Sequence, residues 1–259
     1  MKKSLFVLAT VAIVSILAGC NKSKAEIHGI ADLEGKKIGV QAGTTGEIWV
    51  QENVPGARLS SFKSGIDASL DLKSGALDCV VLDELPAESI IKNNPSLKII
   101  RCPEFAAQKE EYAIAVKKGN TAVLDAVNKT IKEIKSNGEY VNLVNAFMPS
   151  DGIITIPEHE ENTYSKVLKL GTNAAFPPFE YVQGAEIVGF DITVGEKIAL
   201  NASSKLVVVD MAFDSLIPAL QSGSIDFIAA GMSVTEERKK NVDFSDPYFA
   251  SEQVIIVRK

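Results

Sequence analysis

Along the chain, apolar positions fall into short blocks separated by polar turns. The first block is different: an apolar stretch from Leu5 to Ala18, interrupted only by Thr10 and Ser15, follows Lys2-Lys3 and precedes Gly19-Cys20. A charged start, a short apolar run and small residues form an export signal, and the run is too short for a comfortable transmembrane helix. Cys79-Val80-Val81-Leu82 and Phe227-Ile228-Ala229-Ala230 are short apolar blocks that read as buried strands. Thr121 to Phe147 reads as helix, with Leu124, Val127, Ile131 and Ile134 on one face. Asp214 or Ser215 can cap a helix from Leu216 to Gln221. Pro149 to Thr163 carries two prolines, Asp151-Gly152 and the run Glu158-His159-Glu160-Glu161, the marks of a linker or surface loop.

Two pairs of segments echo each other. Lys37-Ile38-Gly39-Val40-Gln41-Ala42 matches Lys169-Leu170-Gly171-Thr172-Asn173-Ala174, and Leu72-Lys73-Ser74-Gly75-Ala76-Leu77-Asp78 matches Leu220-Gln221-Ser222-Gly223-Ser224-Ile225-Asp226. Each first member is a strand ending in a small-residue turn. Each second member is a helix end, a Ser-Gly stop and the start of a buried strand. Short apolar strands alternating with helices imply parallel sheets, and two echoes in the same order imply two similar α/β lobes. Ligands of such sheets bind beyond the carboxyl ends of the strands. Gln41, Asn173, Asp83 and Gly231 stand at such ends, so facing lobes would bring them to one cleft. Thr44 and Thr45 lie in a small-residue turn leading into a helix, whose backbone N–H groups can cradle an anion.

Composition narrows the class. The 259 residues are 46% hydrophobic and 23% charged, an ordinary globular balance. A net charge of −6 argues against a sequence-independent grip on nucleic acid, and Arg238-Lys239-Lys240 is too short for a polyanion patch. Two histidines and three cysteines offer no metal-binding spacing, and no cofactor motif is present. His28 and His159 read as solvated. Cys79 and Cys102 sit beside apolar runs and are expected to be buried free thiols. Leu17-Ala18-Gly19-Cys20 resembles a bacterial lipobox, which implies removal of residues 1–19, a lipid on Cys20, a tether over 20–26 and an extracytoplasmic, membrane-anchored protein.

Larger motifs carry a family resemblance. Gly171-Thr172-Asn173-Ala174-Ala175-Phe176-Pro177-Pro178-Phe179-Glu180-Tyr181, Val188-Gly189-Phe190-Asp191, Ala230-Gly231-Met232-Ser233-Val234-Thr235-Glu236-Glu237-Arg238 and Val242-Asp243-Phe244-Ser245-Asp246-Pro247-Tyr248 resemble the type II periplasmic binding proteins of polar amino-acid ABC transporters. Ala31 to Gly46 resembles the other half of that family. The halves stand in reversed order, which resembles a circular permutation: lobe two over 27–110, one remaining covalent crossing at 111–115, and lobe one over 112–259 with 149–163 joining the old ends.

The resemblance implies roles. Arg238 is the carboxylate clamp, with Thr235 capping a helix that adds backbone donors. Ser233 and the Gly231 backbone contact the ligand, Asp83 takes its ammonium, and Phe176 and Phe213 wall its side chain. From the residues alone, Arg238 also fits a surface salt bridge, Asp83 a helix cap and each Phe simple core. Gln41 and Asn173 would face the ligand's far end. Both are amides, which favours a polar uncharged ligand over a basic one, unless Glu180, Glu84 or Glu47 turns inward. The implied function is capture of an amino acid and delivery to a permease. Alternatives are a ligand sensor for a membrane receptor, or a cyclohexadienyl-dehydratase-like enzyme using Glu84 as its acid.

Overall fold

The computed structural model describes residues 26–158 and 162–259. The export signal, Cys20, most of the tether and His159 lie outside the described residues. The first half alternates strand and helix: β1 (Lys37–Gln41), α1 (Thr45–Asn53), β2 (Arg58–Phe62), α2 (Gly65–Ser74), β3 (Cys79–Asp83), α3 (Glu84–Lys92), β4 (Leu97–Ile100) and the single turn α4 (Pro103–Ala106). Then β5 (Glu110–Tyr112) leads into β6 (Ala115–Lys117), α5 (Thr121–Ser136) and α6 (Glu139–Phe147). The remainder is β7 (Val167–Thr172), β8 (Ala175–Phe176), β9 (Glu180–Gln183), β10 (Glu186–Val188), α7 (Phe190–Asn201), β11 (Lys205–Asp210), α8 (Leu216–Ser222), β12 (Phe227–Ile228), α9 (Glu236–Lys239), β13 (Val242–Phe244), β14 (Phe249–Ser251) and β15 (Gln253–Arg258).

These strands build two five-stranded sheets, ordered β2-β1-β3-β15-β4 and β11-β7-β12-β6-β13. Neither is fully parallel. Strand β15 runs antiparallel to β3 and β4, and β6 runs antiparallel to β12 and β13. Both odd strands are those that have just arrived from the other sheet. They enter from the cleft side and so run against their neighbours.

The sequence echo is a structural one. The Asp78 carboxylate accepts the Lys37 N–H at 2.9 Å, and the Asp226 carboxylate accepts the Lys169 N–H at 2.7 Å. The two strand glycines of the echo, Gly39 and Gly171, keep the strands bare where Leu77 and Ile225 pack: a Cβ would come within 2.5 Å and 2.2 Å of them.

Two expectations are corrected. The helix expected over Thr121–Phe147 is two helices, because Gly138 takes a left-handed turn (φ 84°) between α5 and α6. Strand β15 belongs with β1–β4 rather than with 112–251. Its Val254-Ile255-Ile256-Val257 is buried: β3 and β4 pair its two edges, Val254 and Ile256 pack into one apolar cluster, and Ile255 and Val257 into another on the opposite face. The chain therefore crosses between the sheets twice, not once. Strands β5 and β14 pair antiparallel at the crossing, Ser251 opposite Glu110 and Phe249 opposite Tyr112. Cys79 and Cys102 are buried and free, and burial pushes the Cys79 thiol up to about 12. Among the described residues no helix is long and apolar enough to cross a membrane.

Candidate functional site

All ten residues singled out from the sequence line one cavity between the sheets, together with Glu180 and Ala230. Gln41, Thr44, Thr45 and Asp83 come from the ends of β1 and β3 and the turn after β1. Asn173, Phe176, Phe213, Gly231, Ser233 and Arg238 come from the other lobe.

Arg238 is buried, not a surface ion pair. Its Nη1 donates to the Ser233 carbonyl at 2.6 Å and its Nη2 to the Gly43 carbonyl at 2.9 Å, so the guanidinium spans both lobes. The Phe213 ring lies 5.3 Å beneath it, close enough for a cation–π contact. Burial lowers the Arg238 pKa, and Glu110 and Asp83 oppose the shift. Thr235 caps the turn as expected, its Oγ1 accepting the Arg238 N–H at 3.2 Å. That turn is only four residues long. The cap takes a backbone donor that the sequence leads one to expect for a ligand.

Asp83 stands at the first position before α3 without capping it. Its carboxylate accepts the Tyr112 hydroxyl at 2.5 Å instead. Burial, then the charge of Glu110, pushes its carboxyl up to about 7. Thr44 caps α1, accepting the Glu47 N–H at 3.3 Å and donating to the Gln41 carbonyl at 2.8 Å. The Gly43 N–H donates to Glu47 at 2.7 Å, so this part of the expected anion cradle is already in use. The Gly231 N–H is also in use, on Asp191 at 2.8 Å. A Cβ on Gly231 (φ 51°) would meet the Phe176 ring at 2.6 Å, which holds the backbone against that wall.

The far end differs from the expectation. Gln41 donates to Asn173 at 3.0 Å, and Asn173 donates to the Met211 carbonyl at 2.8 Å. Asn173 is satisfied at both ends of its amide, whereas Gln41 Oε1 is buried without a donor. Of the three glutamates that could bring charge, Glu47 serves its own turn and Glu84 is held outside by Arg101 at 2.6 Å. Glu84, the acid named for the enzyme alternative, therefore does not line the cavity. Glu180 is fully buried in the cavity wall, and neither of its oxygens has a hydrogen-bond donor. Beside it, Asp191 accepts from the Gly231 N–H and from the Tyr248 hydroxyl at 2.6 Å. Burial and the Asp191 charge push the Glu180 carboxyl well above its ordinary value, while Asp191 rises to about 6. The two buried carboxyls titrate as a coupled pair that keeps a proton above the ordinary carboxylate range. Of the three glutamates, Glu180 is the one that lines the cavity, where Asp83 is a second acid.

Residues 168–259 match the family model of bacterial extracellular solute-binding proteins, family 3. Relatives of this chain include the arginine-binding extracellular protein ArtP of Bacillus subtilis, 46% identical over 94 residues, which are 36% of this chain and 37% of that protein. A probable histidine-binding protein of Campylobacter jejuni is 43% identical over 101 residues, 39% of each chain. Among solved structures, holo ArgBP from T. maritima is 52% identical across 32% of this chain and 37% of that one, with a TM-score of 0.32. The chain spans about two fifths of the length of the curated relatives it matches. The family and these relatives are solute-binding proteins rather than enzymes.

Three residues beside the cavity escape a reading of the sequence: Glu110, Tyr112 and Gln253. Glu110 and Tyr112 are two apart on β5, a spacing that puts both on the same face, and this is the available signal.

Proposed function

We propose that the protein closes its two lobes around a free amino acid with a cationic side chain, arginine being the prototype, and delivers it to an ABC-transporter permease. In this reading Arg238 holds the ligand's carboxylate, Asp83 its ammonium, and Phe176 and Phe213 flank the stem. The observation that carries the choice of ligand is Glu180, a buried carboxyl without a donor in the wall of the same cavity. A guanidinium would supply the missing donors and favour the ionised carboxylate. Two relatives are named for binding arginine and histidine, which supports the same class. We place the protein outside the cytoplasm, held to the membrane by a lipid on Cys20. Its chain order is a circular permutation of the family's, a reading supported by Ile27 and Val257 sharing one apolar cluster.

Calorimetry with arginine, lysine, histidine and glutamine tests the ligand. Arginine should bind at least tenfold tighter than glutamine, and Glu180→Gln should erase that preference. Losing one partner of a buried charge pair costs about 3–5 kcal/mol, or roughly a hundredfold or more in affinity. Glutamine binding as tightly as arginine to the unaltered protein would overturn the reading.

A further inference from the structure

We infer that Glu110 is an interlobe latch: a positioning residue that governs how long the closed cleft keeps its amino acid. It rests on the binding function proposed above but not on the identity of the ligand. Glu110 sits at the crossing, at the start of β5. Its Oε2 accepts the Thr45 hydroxyl at 2.6 Å from one lobe and the Ser233 hydroxyl from the other. Its Oε1 accepts Gln253 Nε2 at 3.1 Å, at the start of the strand that completes the second crossing. One carboxylate thus joins four segments: the start of α1, the turn before α9, β5 and β15.

The geometry makes the latch specific to closure. Thr45 and Ser233 belong to different lobes, and a single oxygen can accept both hydroxyls only while the lobes meet. Opening breaks at least one of these charge-assisted bonds. The hinge backbone is already satisfied by its own pairing, Ala250 with Glu111 and Phe249 with Tyr112. Glu110 is therefore not needed to hold the hinge itself. Glu110 lines an outer groove with Trp49, Phe105 and Lys109, and its partners Thr45 and Ser233 line both that groove and the inner cavity.

The consequence is kinetic. The latch favours closure with or without ligand; release must break it, whereas a ligand enters molecules that are already open, so its loss should speed release and change entry little. Stopped-flow fluorescence with arginine on Glu110→Ala and Glu110→Gln separates the two rates. For Glu110→Ala we expect the dissociation rate to rise about tenfold or more, the association rate to stay within twofold, and Glu110→Gln to lie between. Hydrogen bonds to charged groups are worth about that factor. A pair of dyes, one on each lobe, should report a wider separation for Glu110→Ala with and without added arginine. A merely structural role would lower the melting temperature without moving that distance. An unchanged dissociation rate, or an effect confined to association, would overturn the latch. If the unaltered protein binds neither arginine nor any other common amino acid, the proposed function fails. The dye distance without ligand then decides the latch by itself: a shift supports it, and no shift overturns it.

Discussion

Replacing Asp83 by Asn should make the protein more stable and unable to bind. Asp83 is fully buried, and burial followed by the charge of Glu110 lifts its carboxyl from an ordinary 3.8 to about 7. Between those values the folded protein holds a proton that the unfolded chain has released. Stability therefore falls as pH rises through this window, and the penalty is complete above pH 7. Expressed as free energy, that rise in pKa is roughly 4 kcal/mol. Asn keeps an oxygen for the Tyr112 hydroxyl but cannot ionise, so at pH 8 Asp83→Asn should gain about 2–4 kcal/mol, a rise of roughly 5–10 °C in melting temperature. At pH 4.5, near the lower end of the window, the gain should shrink to about a quarter of that. The same change removes the counter-ion proposed for the ligand's ammonium. Arginine at a concentration that raises the melting temperature of the unaltered protein should leave the variant's unchanged. Thermal melts at the two pH values, with and without arginine, read all of this. A variant that melts lower at pH 8 and is still protected by arginine would refute both the burial cost and the assigned role.

Two further outcomes follow from the same geometry. Arg238→Ala should abolish detectable calorimetric binding while far-ultraviolet circular dichroism stays unchanged, since truncating a buried charge partner costs about 2–5 kcal/mol; full affinity in a folded variant would remove Arg238 from the site. Opening the chain in the loop 149–158 and joining Lys259 to Ile27 through a short Gly-Ser bridge should give a protein that binds arginine within about threefold of the original. Joining ends that lie close together is tolerated, and a non-binding or unfolded product would argue that the two orders are not equivalent.

How far the sequence reaches is clearest at the glutamates. Strand ends, a Ser-Gly stop and a repeated strand motif are local features, so the two lobes and the residues at their facing ends are legible from pattern. The crossing is not. Whether Val254-Ile255-Ile256-Val257 completes one sheet or the other depends on which has an uncovered strand, and both lobes offer similar ones. The break at Gly138 is legible after all: Asn137-Gly138 inside a helical pattern is itself a stop signal. Glu47, Glu84 and Glu180 cannot be ranked by spacing, because all three sit at a strand end or just past one. What separates them is the donor each finds. Glu47 receives the Gly43 N–H and Glu84 receives Arg101, both within reach along or beside its own element. Glu180 finds Asp191, another acceptor. A carboxyl that cannot be satisfied within its own fold has to hold a proton or meet a cation from outside, and that pairing arises only when β9 packs on α7 across the intervening hairpin.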